Sequence, residues 1–248
     1  MATDVRDHAN PPKHHRVGRL VSFSDGVVAI GITLLILPLA AIDLPTTGEA
    51  GSEARTNPLG YVWQNNQGLI VSFVISWIVI LVFWLAHHRI FERIQAINPT
   101  IMLWNSIWLF AIVVLPFPTN LLGQFPSDGE GIKQIAALYL VTLMILSLAM
   151  SMVVYEIRKD PTLVKEEERW REPNPTLWSL FDTPVFIAVL TVLAFAIGQY
   201  AIWGLFLLWP LASITSQIEK FVLARRAELA TADTERKSPD SDSGSDQQ

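Results

Sequence analysis

The sequence predicts an all-α polytopic membrane protein with six transmembrane helices per subunit, and three observations carry that expectation. Only 17% of the 248 residues are charged, against about 25% in a soluble globular domain. From residue 184 to 218 there is no Asp, Glu, Lys, Arg or His. As one helix that run would reach roughly 50 Å, against a hydrocarbon core of about 30 Å, so it holds two spans or a span and a re-entrant piece. With six spans, 16 of the 18 Lys and Arg fall on one side, and Arg55 and Lys133 are alone on the other. That asymmetry supports an even span count with both termini in the cytosol. A soluble enzyme, a disulfide-stapled secreted domain and a disordered chain are excluded by the same composition, which includes no cysteine. No basic stripe interleaved with aromatics suggests a nucleic-acid partner.

The elements follow in order. Residues 1–18 are polar with no apolar signal core, and read as a cytosolic segment. Within a transmembrane domain over 19–224, the apolar segments lie at about 20–42, 69–90, 101–122, 135–156, 183–197 and 201–218, each close to the length needed to cross. Gly198 opens the turn between the last two. The connection 43–68 contains Pro45, Gly48 and Gly51, which argue against a long helix there. Residues 164–171 mix charges with Trp170 and read as a short interfacial helix. Asp182, shortly before Pro184, reads as a helix N-terminal residue. The Ser- and Asp-rich tail 225–248 is expected to be disordered.

The first span carries the most information, because an ionisable residue within a span is a functional candidate by default. At about 100° per residue, Ile30, Leu34 and Leu37 share one stripe, flanked by Thr33 and continued near Phe23 and Gly26. Ser24 and Asp25 lie on other faces. The second span ends in Trp84, His87, His88 and Arg89, at the same depth as Asp25, and the third brings Asn105 nearby. Ser24, Asp25, Trp84, His87 or His88, and Asn105 therefore form a candidate inter-helix polar cluster with matched donors and acceptors. The adjacent histidines point about 100° apart, with no further His or Cys close in sequence, so no metal site is expected. Neither a carbonyl-filter sequence nor a nucleotide loop nor a nucleophile elbow is present.

The string Arg19-x-x-x-Phe23-Ser24-Asp25-Gly-Val-x-Ala-Ile30-x-x-Thr33-Leu34, with Trp84-x-x-His87-His88-Arg89 and Asn105, resembles the hallmark of the lysosomal potassium channel family, transmembrane protein 175, and its prokaryotic members. The resemblance is close over about residues 16–120 and extends beyond them only by helix count. It implies a six-span subunit of a homotetramer in a prokaryotic plasma membrane. The first helix would line a central pore permeable to K⁺, and to other monovalent cations or protons, with no bound cofactor. It implies a constriction at Ile30, continued by Leu34 and Leu37, with Thr33 as a selectivity position. It further implies that Arg19, Phe23, Ser24, Asp25, Trp84, His87 (or His88) and Asn105 hold the pore helices together. Selectivity is expected to be modest, since no dense ring of oxygens replaces the ion's hydration shell. The rival reading is a proton-coupled secondary transporter using Asp25 and His87. An integral-membrane enzyme lacks a nucleophile, a metal cluster and a second carboxylate at membrane depth.

Overall fold

The computed structural model describes residues 13–125, 131–169, 177–198 and 200–204, and every described residue is helical or in a short connection. The chain divides into two units, 1–205 and 206–248, and all described residues lie in the first. Helix α1 (Lys13–Leu34) is followed by α2 (Leu37–Ala40), α3 (Gly48–Thr56) and α4 (Pro58–Glu92). Then come α5 (Pro99–Val114), α6 (Pro116–Gln124) and α7 (Gly131–Lys159). A 3₁₀ turn at Pro161–Leu163 leads to α8 (Glu166–Arg169), α9 (Leu177–Ile197) and α10 (Tyr200–Trp203). Four of these stretches are long and apolar enough to cross a membrane: Arg16–Ala40, Pro58–Glu92, Pro99–Gln124 and Gly131–Lys159. A fifth apolar stretch, Phe181–Ile197, is shorter. The sixth expected span, 201–218, and the tail 225–248 lie almost wholly outside the described residues, as does the segment 1–12.

Helix starts are set by local chemistry. Asn57-Pro58 and Asn98-Pro99 repeat one device, in which the Asn side chain accepts from Gly60 N (3.0 Å) or Ile101 N (2.7 Å) while Pro occupies the first helical position. Pro is suited there because its missing N–H has no intrahelical role in the first turn. In the 43–68 connection, where Pro45, Gly48 and Gly51 argue against a long helix, the chain forms the short α3 and then the start of α4. Gly48, at φ 73°, opens α3, and Pro58 starts a 35-residue helix eleven residues ahead of the apolar segment. The stretch is kinked at Asn66 (φ −131°, ψ 24°), and the part beyond the kink holds the apolar segment.

Interior prolines decide where helices break. Pro116 and Pro118 cannot donate to Ile112 and Val114, and the third span divides at Leu115 into α5 and α6. Pro38 does the same beyond α1, where Leu35 and Ile36 make only i−3 bonds of 3.3 and 3.4 Å. In α9 the helix runs through Pro184 and begins at Leu177, so Asp182 is an interior residue and not the N-terminal one expected. Its carboxylate accepts from Thr183 N and Oγ1, satisfying local donors rather than capping. Gly198 turns the chain at φ 62°, where an L side chain would be strained.

The core centres on α7, of whose 29 residues 14 are buried, and it packs between α5 and α9. On α1, Val17, Ser24, Val28, Gly31 and Leu35 are buried and recur at helical spacing, turning that face toward α5. A Cβ on Gly31 would meet Ile112 Cγ2 at 2.9 Å, so the missing side chain sets the α1–α5 approach. The turns that follow the C-terminal ends of α4 and α7 are joined to each other. Ile94 and Val164 form an antiparallel bridge, with Gln95 N bonded to Leu163 O (2.8 Å) and Lys165 N to Arg93 O (3.0 Å). The expected interfacial helix at 164–171 is present in its described part as the single turn α8.

At the other end of the bundle α4 and α6 cross at Gly68 and Gly123, where a Cβ on Gly123 would stand 2.7 Å from Leu69 Cα. Because that neighbour is backbone, Gly123→Ala is expected to destabilise the fold by about 1–3 kcal/mol, the usual cost of overpacking. A lowered thermal midpoint in detergent, followed by fluorescence-detected gel filtration, checks this; a wild-type midpoint contradicts the crossing.

Candidate functional site

Polar side chains from three helices meet where the first half of α1 passes the C-terminal end of α4 and the start of α5. Asn105, on α5, stands at the centre and is buried. Its Nδ2 donates to Ser24 Oγ on α1 (3.1 Å), and its Oδ1 lies 2.8 Å from His87 Nε2 on α4. Since a carbonyl oxygen only accepts, His87 carries its proton on Nε2. The His87 ring is clamped on both faces, by Phe91 and Trp108, each with ring centroids 4.3 Å away and planes within 20°. Trp84, one turn before His88, donates its indole N–H to Asp25 Oδ1 at 2.8 Å. The network therefore ties α1 to α4 through Asp25 and to α5 through Ser24.

The choice between the histidines is resolved by burial. His87 is fully buried in the network, whereas His88 is partly exposed and bonds Glu92 Oε1 at 3.1 Å on its own helix, its ring 5.6 Å from Trp84. Arg19 and Phe23 stand apart from the cluster with which the sequence pattern grouped them. Both are exposed in the single chain, Phe23 by 62%. Phe91 and Trp108 were missed by sequence reasoning, although a signal existed: Phe91 is i+4 from His87 and Trp108 is i+3 from Asn105, the spacings that share a helix face.

The opposite side of α1 is bare. Ile30 is 59% exposed, Thr33 is exposed and Leu34 is half-buried, while Leu37, 56% exposed, lies beyond the break at residues 35–36, on α2. Thr33 Oγ1 donates to the Ile30 carbonyl at 2.8 Å, so the lone pairs of the hydroxyl, not its proton, remain for anything passing along this face. At about 100° per residue Ile30 lies roughly 120° from Ser24 and roughly 140° from Asp25. One helix thus carries a pinned polar edge and an unpinned apolar stripe. Among the described residues no group of three His, Cys, Asp or Glu is arranged to hold a metal ion.

Apolar helices of membrane-crossing length, joined by a buried polar network, define an α-helical integral membrane protein. Residues 19–116 match the family described as endosomal/lysosomal potassium channel TMEM175. The match contains the whole of this network and of the bare stripe, and it covers the N-terminal part of the chain, which is similar to this family. It is 30% identical over 132 residues to a protein of Streptomyces collinus named a potassium channel, covering 53% of this chain and 60% of the relative. To a Chamaesiphon minutus protein of the same description it is 34% identical over 114 residues, covering 46% of this chain and 53% of the relative. The matched stretches thus span little more than half the length of these relatives. Among solved structures, a crystal structure described as a lysosomal potassium-selective channel TMEM175 homolog from Chamaesiphon minutus superposes with a TM-score of 0.61. It has 25% identity over 82% of this chain and 97% of the other.

His87→Ala is expected to cost far more than His88→Ala. The first leaves Asn105 Oδ1 unpaired in a buried site, at about 1–3 kcal/mol. The second removes an exposed pair worth about 0–1 kcal/mol. Thermal midpoints of the two variants, with the His87→Ala/Asn105→Ala double variant to close the cycle, measure the difference. Equal losses would contradict the network.

Proposed function

We propose that the chain is one subunit of a potassium-permeable cation channel, in which copies of α1 from a homotetramer surround a central pore. The observation that carries this reading is the two-sidedness of α1. Its Ser24/Asp25 edge is hydrogen-bonded into the subunit, while Ile30 and Thr33 on its other side are exposed, as is Leu37 on α2 just beyond it. An apolar stripe pinned from behind is what a hydrophobic constriction requires. Rings of Ile30, with Leu34 and Leu37 further along, narrow the path until water leaves, and ions cannot cross without it. Tilting or rotating α1 widens the rings and rewets them.

The chemistry of the stripe also sets what it selects. Aliphatic side chains offer no ligands to an ion, and Thr33 supplies a single hydroxyl oxygen per subunit. K⁺ therefore passes with much of its hydration intact and with modest discrimination, and protons are a further permeant class. Asp25, bonded to Trp84 and turned away from the stripe, positions the helix and does not line the path. Arg19 and Phe23, exposed in one chain, meet a neighbouring subunit in this assembly. The distribution of Lys and Arg supports a reading with both termini in the cytosol, and the prokaryotic relatives support a prokaryotic cell membrane. The names and family of the relatives support the channel class.

A proton-coupled transporter is not favoured. Its relay would need Asp25 and His87 in exchange with each other, yet Asp25 is committed to Trp84 and His87 to Asn105. Among the described residues, the breaks in the spanning helices at 35–36, 66 and 115 fall away from Asp25.

Potassium flux from proteoliposomes, with matched sodium and proton gradients, tests the proposal. Passive, non-saturating flux is expected, and Ile30→Asn should raise it by about tenfold, equivalent to roughly 1.4 kcal/mol off the barrier. Flux that saturates and requires a co-substrate would overturn the channel. Unchanged flux in Ile30→Asn would remove Ile30 from the constriction. Asp25→Ala is expected to reduce the recovered tetramer while leaving the ion ratio of the surviving channels as in wild type; altered selectivity in a fully assembled tetramer would contradict its positioning role.

A further inference from the structure

At the end of the bundle away from the His87 network, a cavity of about 440 Å³ opens between α4, α6, α7 and α10. That volume falls in the range of about 300–1,000 Å³ typical of ligand sites. Its rim carries two exposed amides, Gln67 and Gln124, and its floor carries Ser76 and Tyr139. Val71, Ile75 and Ile202 form an apolar wall. No Asp, Glu, Lys, Arg or His lines it.

The cavity is held open by backbone. Residue Asn66 leaves helical geometry (φ −131°, ψ 24°), and its side chain donates to Val62 O at 3.2 Å, satisfying a carbonyl within the kink. Just beyond it the Gly68/Gly123 crossing fixes α4 against α6. The floor is equally set. Thr119 Oγ1 donates to Leu115 O at 2.8 Å, and Ser76 Oγ, 2.8 Å from Thr119 Oγ1 and 3.1 Å from Tyr139 Oη, has one proton for these two neighbours. These hydroxyls anchor one another, and the phenol oxygen, with this one bond, retains hydrogen-bonding capacity.

We propose that this cavity is a lipid site, taking the ester region of a phospholipid against its uncharged polar groups and an acyl chain along Val71, Ile75 and Ile202. Three features favour a lipid over a soluble ligand. The apolar wall continues into an exposed apolar face, with Val71, Val74 and Ile78 of α4 and Trp203 of α10 all exposed. The polar groups are neutral donors and acceptors, suited to ester carbonyls and unsuited to holding a charged headgroup inside. The two amides at the rim stand where a headgroup would emerge, and Trp203 beside them is a residue type enriched at the membrane interface. The site is separate from α1 and does not depend on the channel reading.

The test uses the full chain in phosphatidylethanolamine/phosphatidylglycerol vesicles containing a phosphatidylglycerol with a diazirine on one acyl chain. After illumination, labelled peptides are mapped by mass spectrometry. Labelling is expected to concentrate on residues 71–75 and 202–203, above that on Val185 and Val189 of α9, which are exposed apolar residues of an ordinary helix face. Val71→Trp fills the cavity from its rim and should reduce cavity labelling by about tenfold, the factor given by a loss of roughly 1.4 kcal/mol of binding, with α9 labelling unchanged. Ile75→Phe, filling from deeper, gives the same readout if Val71→Trp does not fold. Equal labelling of the two faces, or cavity labelling that persists in the filled variant, would overturn the proposal. So would labelling by a water-soluble diazirine alcohol in place of the lipid probe.

Discussion

A polar group carried into hydrocarbon must find a partner there, and in this chain Asn105 is the partner for two others. Its amide has one acceptor and one donor end, and each is used on a different helix: the oxygen on His87 of α4, the nitrogen on Ser24 of α1. Without a hydrophobic driving force between helices in lipid, such bonds and close packing are what bring spans together. With both ends engaged on different helices, the network specifies which faces of three helices meet, not only that they associate. The aromatic clamp of Phe91 and Trp108 then fixes the imidazole plane, which keeps Nε2 aimed at Asn105.

The orientation of α1 follows from that constraint. With Ser24 drawn to Asn105 and Asp25 to Trp84, the rotation of the helix about its axis is no longer free, and Phe23 and Ile30 are left exposed on its other side. Gly31 adds close contact with α5 on the packed side, and its small size lets the network bonds reach their lengths. The apolar stripe is thus a consequence of polar bonding on the far side of the same helix.

At the opposite end the architecture rests on helix breakers. Pro116 and Pro118 divide α5 from α6, and the Leu115 carbonyl at that joint receives Thr119 N (3.2 Å) and Thr119 Oγ1 (2.8 Å). Asn66 performs a similar service at the kink in α4. Kinked spans leave space between them that straight ones would close, and the polar-floored cavity occupies that space. Two unlike polar clusters therefore sit at the two ends of the same helices, one knitting spans together and one bordering a void.

Composition and periodicity by themselves determined the all-helical, membrane-spanning class, because charge depletion and apolar length are properties of the chain that burial cannot disguise. They also placed Ser24, Asp25, Trp84, Asn105 and a histidine at one depth, since depth along a helix follows from residue count. The Gly198 turn was readable for the same local reason. What the chain could not settle alone was which of two adjacent histidines turns inward, that Phe91 and Trp108 enclose it, or that Phe23 and Arg19 stand outside the cluster. Nor could it place Asp182 inside a helix or begin α4 at Pro58. Each of these depends on the rotation of one helix against another, or on whether a cap outweighs a run of Gly and Pro. Such choices are decided by the summed contacts of several helices, and only the tertiary structure contains that sum.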